Sequence, residues 1–343
     1  MITFLLPDGT THDFGEGDAD TVVELGPAAW DDFRQERRTA FGLLYAGMMH
    51  MAKGDFLELA QWEIELRRQW EGRPVYDEAA AEAAAHIDLH RSFTLDDGDE
   101  EMSRFLHAAG FLHVRQVFDA AEVEVMRREV ERLKAAATPD DGRSWWAQNR
   151  DGNQVCCRVI YMSQHSPELA KVPRDERLAR LAALSGELLR PADDRIDGLA
   201  AVIKNPDVVE GLSDLPWHQD CGLGGHPVLC PGVNVGIQLD AATAATGQLH
   251  ILAGSHHHSI PPDGPGDESR LPIVALDTQP GDVTVHFGHV SHAAPPPTGA
   301  HAGRRAMYVT FVRDALFDTI PKGKGYNDVV LQMPGQPAPS ALA

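Results

Sequence analysis

The stretch Leu215-Pro216-Trp217-His218-Gln219-Asp220 sets an imidazole and a carboxylate two residues apart. Pro and Trp ahead of them favour an extended backbone, in which side chains at i and i+2 leave the same face. A His nitrogen and an Asp oxygen placed that way can converge on one divalent metal ion. The spacing alone decides little, because His86-Ile87-Asp88 repeats it after an Ala-rich run that reads as helix. There i and i+2 diverge, and His86, Asp88 and His90 are expected at a solvated helix end. A metal held by one imidazole and one carboxylate needs at least a third ligand. Three candidates, His286, His289 and His292, follow the turn at Gly281-Asp282. In a strand starting at Val283, His286 shares the face of Thr284, whereas His292 lies in the next extended segment, before Pro295-Pro296-Pro297. Farther on stand Arg304 and Arg305, a basic pair in an acidic chain, and strand alternation lets only one of them face inward. A guanidinium grips a carboxylate with two parallel hydrogen bonds, which an ammonium does not.

Such groups need a scaffold of short strands, and after residue 199 the chain has that texture. Val233, Val235, Ile237 and Leu239 alternate with Asn234, Gly236, Gln238 and Asp240, the pattern of a half-buried strand. Gly247 to Leu252, Val283 to Phe287 and Met307 to Phe311 predict further strands, closed by Gly, Pro and Asp turns. The succession reads as a jelly roll, so the predicted fold is mainly β with flanking helices. Before it, a helix, the Gly110 stop and a strand are expected, then a helix capped by Asp119 and another from Arg177 to Leu189. Trp145, Trp146, Arg158 and Tyr161 fall in a strand-and-loop region suited either to core packing and rim or to a pocket wall.

The first part reads as an α+β extension. Strands and turns occupy residues 2–25, one helix runs from Pro27 to Ala46, and a second follows Gly54 with Phe56, Leu59, Trp62, Ile64 and Leu66. This succession is faintly similar to part of a sterol-carrier-type lipid-binding module. Residues 73–101, an Ala/Glu-rich stretch closing on the acidic run Leu95 to Glu101, read as a linker containing a short helix. The expected division is an accessory segment at 1–95, a catalytic domain at 96–332 and a flexible tail at 333–343.

Across its 343 residues the chain carries a formal net charge of −21, which argues against nucleic acid or anionic membrane as a partner. No apolar run is long enough to span a bilayer and no signal stretch opens the chain, so a cytoplasmic location is the default. The four cysteines show neither a C-x-x-C pair nor a disulfide framework.

Taken in order, Ile203-Lys204-Asn205-Pro206, Trp217-His218-Gln219-Asp220, Gly247 to His256, Gly281-Asp282, His292 and Arg304-Arg305-Ala306 resemble the phytanoyl-CoA dioxygenase-like family. The resemblance runs from about Phe105 to Val312. It implies a double-stranded β-helix that binds iron(II) through His218, Asp220 and His292, the family's count from the Gly-Asp turn choosing His292 among the three. It further implies 2-oxoglutarate as cosubstrate, its distal carboxylate on Arg304, with Lys204 assisting; Thr298 is a candidate to compensate for the family's serine where Ala294 stands. Trp217, Gln219, Gln238, Trp145, Arg158 and Tyr161 are expected to contact a small, apolar, acyl or natural-product substrate. The implied reaction is dioxygen-driven hydroxylation of an unactivated C–H bond, with succinate released. The presence of Asp220 argues against halogenation, which replaces that ligand by a small residue. Departures stand at Ala294 and Gly236, where the family commonly has Ser and Trp. Two other functions compete: a non-catalytic lipid or small-molecule binder on a cupin scaffold, and a cupin-type metal isomerase or hydrolase, which predicts no buried Arg facing the metal. The sequence leaves oligomeric state open.

Overall fold

The computed structural model describes residues 1–15, 17–35, 38–45, 47–54, 77–206, 208–210, 215–220, 232–258, 270–299, 303–314 and 322–323, together with Phe56, Leu59, Glu63, Leu66 and Phe317. Trp62, Ile64, Trp70, Cys221, Cys230 and the 333–343 tail lie outside them.

The N-terminal part has a core of its own. Strand β1 (Ile2–Leu5) lies between antiparallel β2 (Thr11–Phe14) and parallel β3 (Thr21–Leu25). Helices α1 (Pro27–Arg34) and α2 (Ala40–Tyr45) follow, and β4 (Met49–Lys53) pairs with β3. Phe4, Val23, Trp30, Phe33 and Leu43 pack together with Leu59 and Leu66. The expected single helix from Pro27 to Ala46 is two helices. The second begins where buried Glu63 accepts the backbone N–H of Ala40, and the chain then turns into β4.

The acidic run at 95–101 is folded, not a linker. Thr94 donates its N–H and hydroxyl to Asp97, and Asp99, Glu100 and Glu101 open a helix whose N-terminal partial charge they complement. Arg180 locks the turn through Asp99 and the carbonyls of Leu95 and Asp97. Ala84, Leu89 and Phe93, upstream of that run, are buried in the larger core. These residues, which the expected division at 95 assigns to the accessory segment, pack with the larger unit. A chain beginning at Asp77 is expected to fold with the melting behaviour of the larger unit. One beginning at Asp96 should lose several degrees, because it deletes Phe93 from a packed core. Calorimetry of the two truncations checks this.

The larger unit contains α3 (Glu78–Ala83), α4 (Asp99–Ala109), β5 (Phe111–Val114), α5 (Ala120–Ala136), β6 (Ser144–Asn149), β7 (Gln154–Val159), α6 (Met162–His165), α7 (Glu176–Ala183), β8 (Arg190–Pro191), β9 (Ala200–Lys204) and β10 (Val208–Glu210). Next come β11 (Leu215–His218), β12 (Val233–Gln238), β13 (Leu249–Leu252), β14 (Ile273–Leu276), β15 (Val283–Phe287), β16 (His292–Ala294) and β17 (Arg304–Val312). Asp119 and Glu122 form a capping box at the start of α5. The helix expected to run from Arg177 to Leu189 is only the eight residues of α7.

One sheet runs β10-β6-β7-β9-β17-β12-β15-β5, with β8 on β17, and a second runs β11-β16-β13-β14. These are the two sheets of a jelly roll, the fold predicted from the strand texture. Every residue of β12 and β15 is buried, so β12 is not the half-buried strand its alternation predicted. Both faces are covered: Val233, Val235, Ile237, Val283 and Val285 join the apolar core with α4 and α5, while Asn234, Gly236, Gln238, Thr284 and His286 point to the other side, into the roll. The turn that launches β15 is held by buried Asp282, which accepts from Gln116 and Gln279 N–H and meets His113 Nε2 at 2.9 Å. Gly281 (φ +90°) cannot be replaced there, since a Cβ would strike the carbonyl of Phe118. Among the described residues no helix is long and apolar enough to cross a membrane, and Cys156 and Cys157 are free, buried thiols.

Candidate metal centre

The smaller sheet carries the two imidazoles. β11 and β16 pair antiparallel in a register that sets His218 opposite His292, their ring centroids 4.2 Å apart. Each ring is turned by the same device: the Nδ1–H of His218 donates to Pro216 O (2.7 Å), and that of His292 to Val290 O (3.0 Å). A carbonyl only accepts, so Nδ1 carries a proton in each ring and Nε2 is the nitrogen turned toward Asp220. Asp220, just past β11, lies between them, with Oδ1 3.6 Å from His218 Nε2 and Oδ2 3.5 Å from His292 Nε2. One ligand atom from each of the three residues lies within 4.8 Å of the others. Burial opposes the charge on Asp220, but His292, His218 and His286 hold its carboxyl well below the usual range. Burial and the neighbouring His218 push His292 down to about 3, so it is neutral, as a ligand must be. Two imidazole Nε2 atoms beside an ionised carboxylate are a donor set that fits a first-row divalent cation.

The larger sheet forms the opposite wall, and its register fixes rows of side chains across the strands. His286, Asn234 and Thr310 form one row, and Thr284, Gly236 and Tyr308 the next. Asn234 Nδ2 donates to Asp220 Oδ2 and Thr310 Oγ1 donates to Asn234 Oδ1 at 2.5 Å. His286 Nε2 is 3.4 Å from Asp220 Oδ2. In the second row, a Cβ on Gly236 would meet Tyr308 at 2.5 Å, so the phenol ring occupies the space a larger side chain at 236 would need. The compositional signal for these residues was the polar half of the alternation in β12 and β15. Their proximity to Asp220 depends on pairing and could not be read from it.

Lower in the roll, Arg304 and Lys204 stand opposite each other on β17 and β9, both buried. Arg304 Nε donates to Gly247 O at 2.8 Å, and among the described residues Arg304 has no ion pair. Arg305 points the other way, where it pairs with Asp240 (2.7 and 2.9 Å) and Glu131 (3.0 Å). The Lys204 ammonium donates to Ala294 O, at the end of the strand that carries His292. Thr298 is exposed, its hydroxyl committed to Ala244 O at 2.9 Å, so it does not stand in for the serine missing at Ala294.

Of the residues expected at the substrate, Trp145 and Arg158 are cross-strand partners, with the guanidinium 4.7 Å from the indole centroid. Arg158 Nη2 donates to Asp197 at 2.7 Å, while its buried Nε has no partner among the described residues. A bulge between Trp145 and Trp146 sends the two indoles apart, Trp146 to the helix-covered core. Tyr161 is buried at a left-handed φ of 55°, a conformation that costs energy for a large side chain. Gln238 donates to Thr284 at 3.3 Å, and Trp217 and Gln219 are half-buried beside the two ligands they neighbour.

The third histidine of the sequence argument, His289, lies apart, 5.8 Å from His256 and 5.6 Å from Phe287 by ring centroid. His86, Asp88 and His90 are exposed. His256 is buried, and burial together with His257 and His289 holds its pKa well below the ordinary 6.5. It therefore stays neutral in the fold, while the unfolded chain takes up a proton as pH falls through 6.5. The stability it contributes is complete above that pH and is lost progressively below it. Urea unfolding should show a steeper acid loss for the native protein than for His256→Gln, which keeps an N–H donor for the His107 carbonyl.

The family model for phytanoyl-CoA dioxygenase matches residues 106–306. Among solved structures, AviO1 from Streptomyces viridochromogenes Tue57 is 23% identical at a TM-score of 0.50, covering 66% of this chain and 98% of that one. The non-heme alpha ketoglutarate dependent epimerase SnoN, from nogalamycin biosynthesis, is 20% identical at 0.51, covering 66% and 94%. EctD from S. alaskensis, solved with 2-oxoglutarate and 5-hydroxyectoine, is 20% identical at 0.51, covering 66% and 80%. At these identities the likeness establishes the fold. No curated protein was matched by sequence. Because the family match takes in β5 through the opening of β17, and with them the strands that bring His218, Asp220 and His292 together, the chain belongs to the phytanoyl-CoA dioxygenase family of iron- and 2-oxoglutarate-dependent enzymes.

Proposed function

We propose that His218, Asp220 and His292 hold one iron(II) ion and that the protein hydroxylates a C–H bond of a small molecule. The observation that carries the reading is the convergence of those three ligand atoms within 4.8 Å. When bound, iron and 2-oxoglutarate supply the oxidising chemistry: one atom of dioxygen goes to succinate formation with loss of CO2, the other to the substrate.

Each residue has a task in that scheme. The Nδ1 hydrogen bonds of His218 and His292 hold the rings in the tautomer that presents Nε2, and Asp220 supplies the negative charge. Arg304 takes the distal carboxylate of 2-oxoglutarate. It is a buried guanidinium with no ion pair among the described residues, and a buried charge calls for a partner. Lys204 adds a second positive charge to that corner and steadies the end of β16. Trp145, Arg158, Tyr161, Trp217, Gln219 and Gln238 shape the substrate pocket. The Arg158–Asp197 pair over Trp145 combines a flat apolar face with directed hydrogen bonds, which suits a substrate bearing polar groups on a hydrocarbon frame. The N-terminal unit is accessory and contributes no ligand.

Anaerobic addition of iron(II) and then 2-oxoglutarate should produce the weak visible charge-transfer band of the iron chelate. No band, with a folded protein, would overturn the reading.

A further inference from the structure

His286 is the group in the roll whose environment the proposed metal chemistry leaves unexplained. It is buried, with 2% exposed, and neither ring nitrogen makes a hydrogen bond of good geometry among the described residues. A buried imidazole without partners is costly, so the position calls for a compensating role. Its Nε2 lies 3.4 Å from Asp220 Oδ2, the same oxygen that accepts from Asn234 Nδ2. Asn234 is itself fixed, because Thr310 Oγ1 donates to its Oδ1 at 2.5 Å. The three residues form a single cross-strand row on β15, β12 and β17 of the larger sheet. Asp220, by contrast, sits outside any strand, so its orientation must come from what it touches.

We infer that His286 and Asn234 are positioning residues that hold Asp220 to the metal through one oxygen only. The inference rests on the proposed iron site and deepens it. An ionised carboxylate has about two lone pairs on each oxygen. Asn234 takes one on Oδ2 and a His286 Nε2–H, turned a few tenths of an ångström closer, takes the other. Oδ1 is then the oxygen left for metal. Freed from that brace, Asp220 could swing to bind through both oxygens. It would then occupy a coordination position that 2-oxoglutarate or dioxygen needs. His286 is not itself assigned as a ligand: the cluster of ligand atoms within 4.8 Å of one another comprises His218, Asp220 and His292 without it. Nothing in the spacing of the sequence points to this role, because it depends on the β12–β15 register that puts Asn234 beside His286.

The test compares His286→Gln, which retains an N–H donor, with His286→Leu, which fills the space without one, alongside Asn234→Val. Each full-length variant is titrated anaerobically with cobalt(II), then with iron(II) followed by 2-oxoglutarate. Circular dichroism and melting establish that it is folded. Loss of a group that orients a metal ligand costs about ten- to a hundredfold. His286→Leu and Asn234→Val should therefore bind cobalt(II) within a few-fold of the native protein, yet require at least about tenfold more 2-oxoglutarate for the iron chelate band. Their cobalt(II) visible spectra should also shift, reporting a changed coordination number. His286→Gln should restore most of the native behaviour. If His286→Leu loses metal as completely as His292→Ala, His286 is a ligand and the positioning role is wrong. If all three variants match the native titration, or if His286→Gln is as impaired as His286→Leu, the role is likewise excluded. A native protein that forms no chelate would sink the underlying iron reading, and that outcome is separate from the others.

Discussion

Asp220→Ala should abolish oxygenation, with residual turnover below about a thousandth of the native rate, as expected when a group acting as one unit with others is removed. The reason is electrostatic as well as geometric. Among the described residues Asp220 is the one anion of the cluster, and three imidazoles surround it within 3.4–3.6 Å. Removing it leaves the metal with two neutral ligands and its positive charge uncompensated in a buried site. The substitution also strips Asn234 Nδ2 of its acceptor. The measurement is 2-oxoglutarate-dependent oxygen consumption, together with iron retained after gel filtration. Asp220→Glu is a useful contrast, because it keeps the charge but lengthens the arm, so it should retain metal and lose most turnover. An Asp220→Ala protein that consumes oxygen at even a tenth of the native rate would remove Asp220 from the ligand set.

The second large effect is expected at Arg304 and not at its neighbour. Truncating one partner of a buried, hydrogen-bonded charge pair costs about 2–5 kcal/mol. Arg304→Ala should therefore raise the 2-oxoglutarate concentration needed for half-maximal activity by roughly thirtyfold or more. Arg304→Lys should recover only part of this, since an ammonium cannot make the two parallel bonds of a guanidinium. Arg305→Ala is the control. It breaks the pairs with Asp240 and Glu131 on the outside of the sheet, and a partly exposed pair of that kind is worth about 1 kcal/mol or less. Stability should fall slightly and the cosubstrate requirement should stay where it was. Equal increases for the two alanine variants would undo the assignment of Arg304.

How far these results could be anticipated from the chain alone differs from residue to residue. Strand alternation is a local property with a period of two, so the sequence already separated Arg304 from Arg305 and put His218 and Asp220 on one side of an extended segment. Turn chemistry is local too, and Gly281-Asp282 marked the start of β15 because no other residue fits its backbone there. The β texture after residue 199, with the ordered motifs, was enough to name the fold and the family. Errors clustered where a local pattern had two solutions. The stretch Pro27 to Ala46 has helical periodicity throughout, yet it breaks because the tertiary contact of Glu63 caps a second start. The acidic run near residue 97 has the composition of a linker, and becomes a helix start because Arg180, more than eighty positions away, docks on it.

What only the tertiary structure decided is which residues meet. Register is a relation between strands, and a shift of one residue would send every side chain to the other face. The β11–β16 register puts His218 opposite His292; the sequence could only count toward the second histidine by family resemblance. The β12–β15 and β12–β17 registers set His286 and Thr310 on either side of Asn234, so that His286 and Asn234 reach Asp220, and they put Tyr308 over Gly236. Those contacts join positions far apart in the chain, such as Asn234 and Thr310, and no local propensity encodes them. The chemistry available to this protein was thus written in residue types and short spacings. The placement of those groups came from long-range strand pairing, which is fixed only when both faces of the sheet are buried at once.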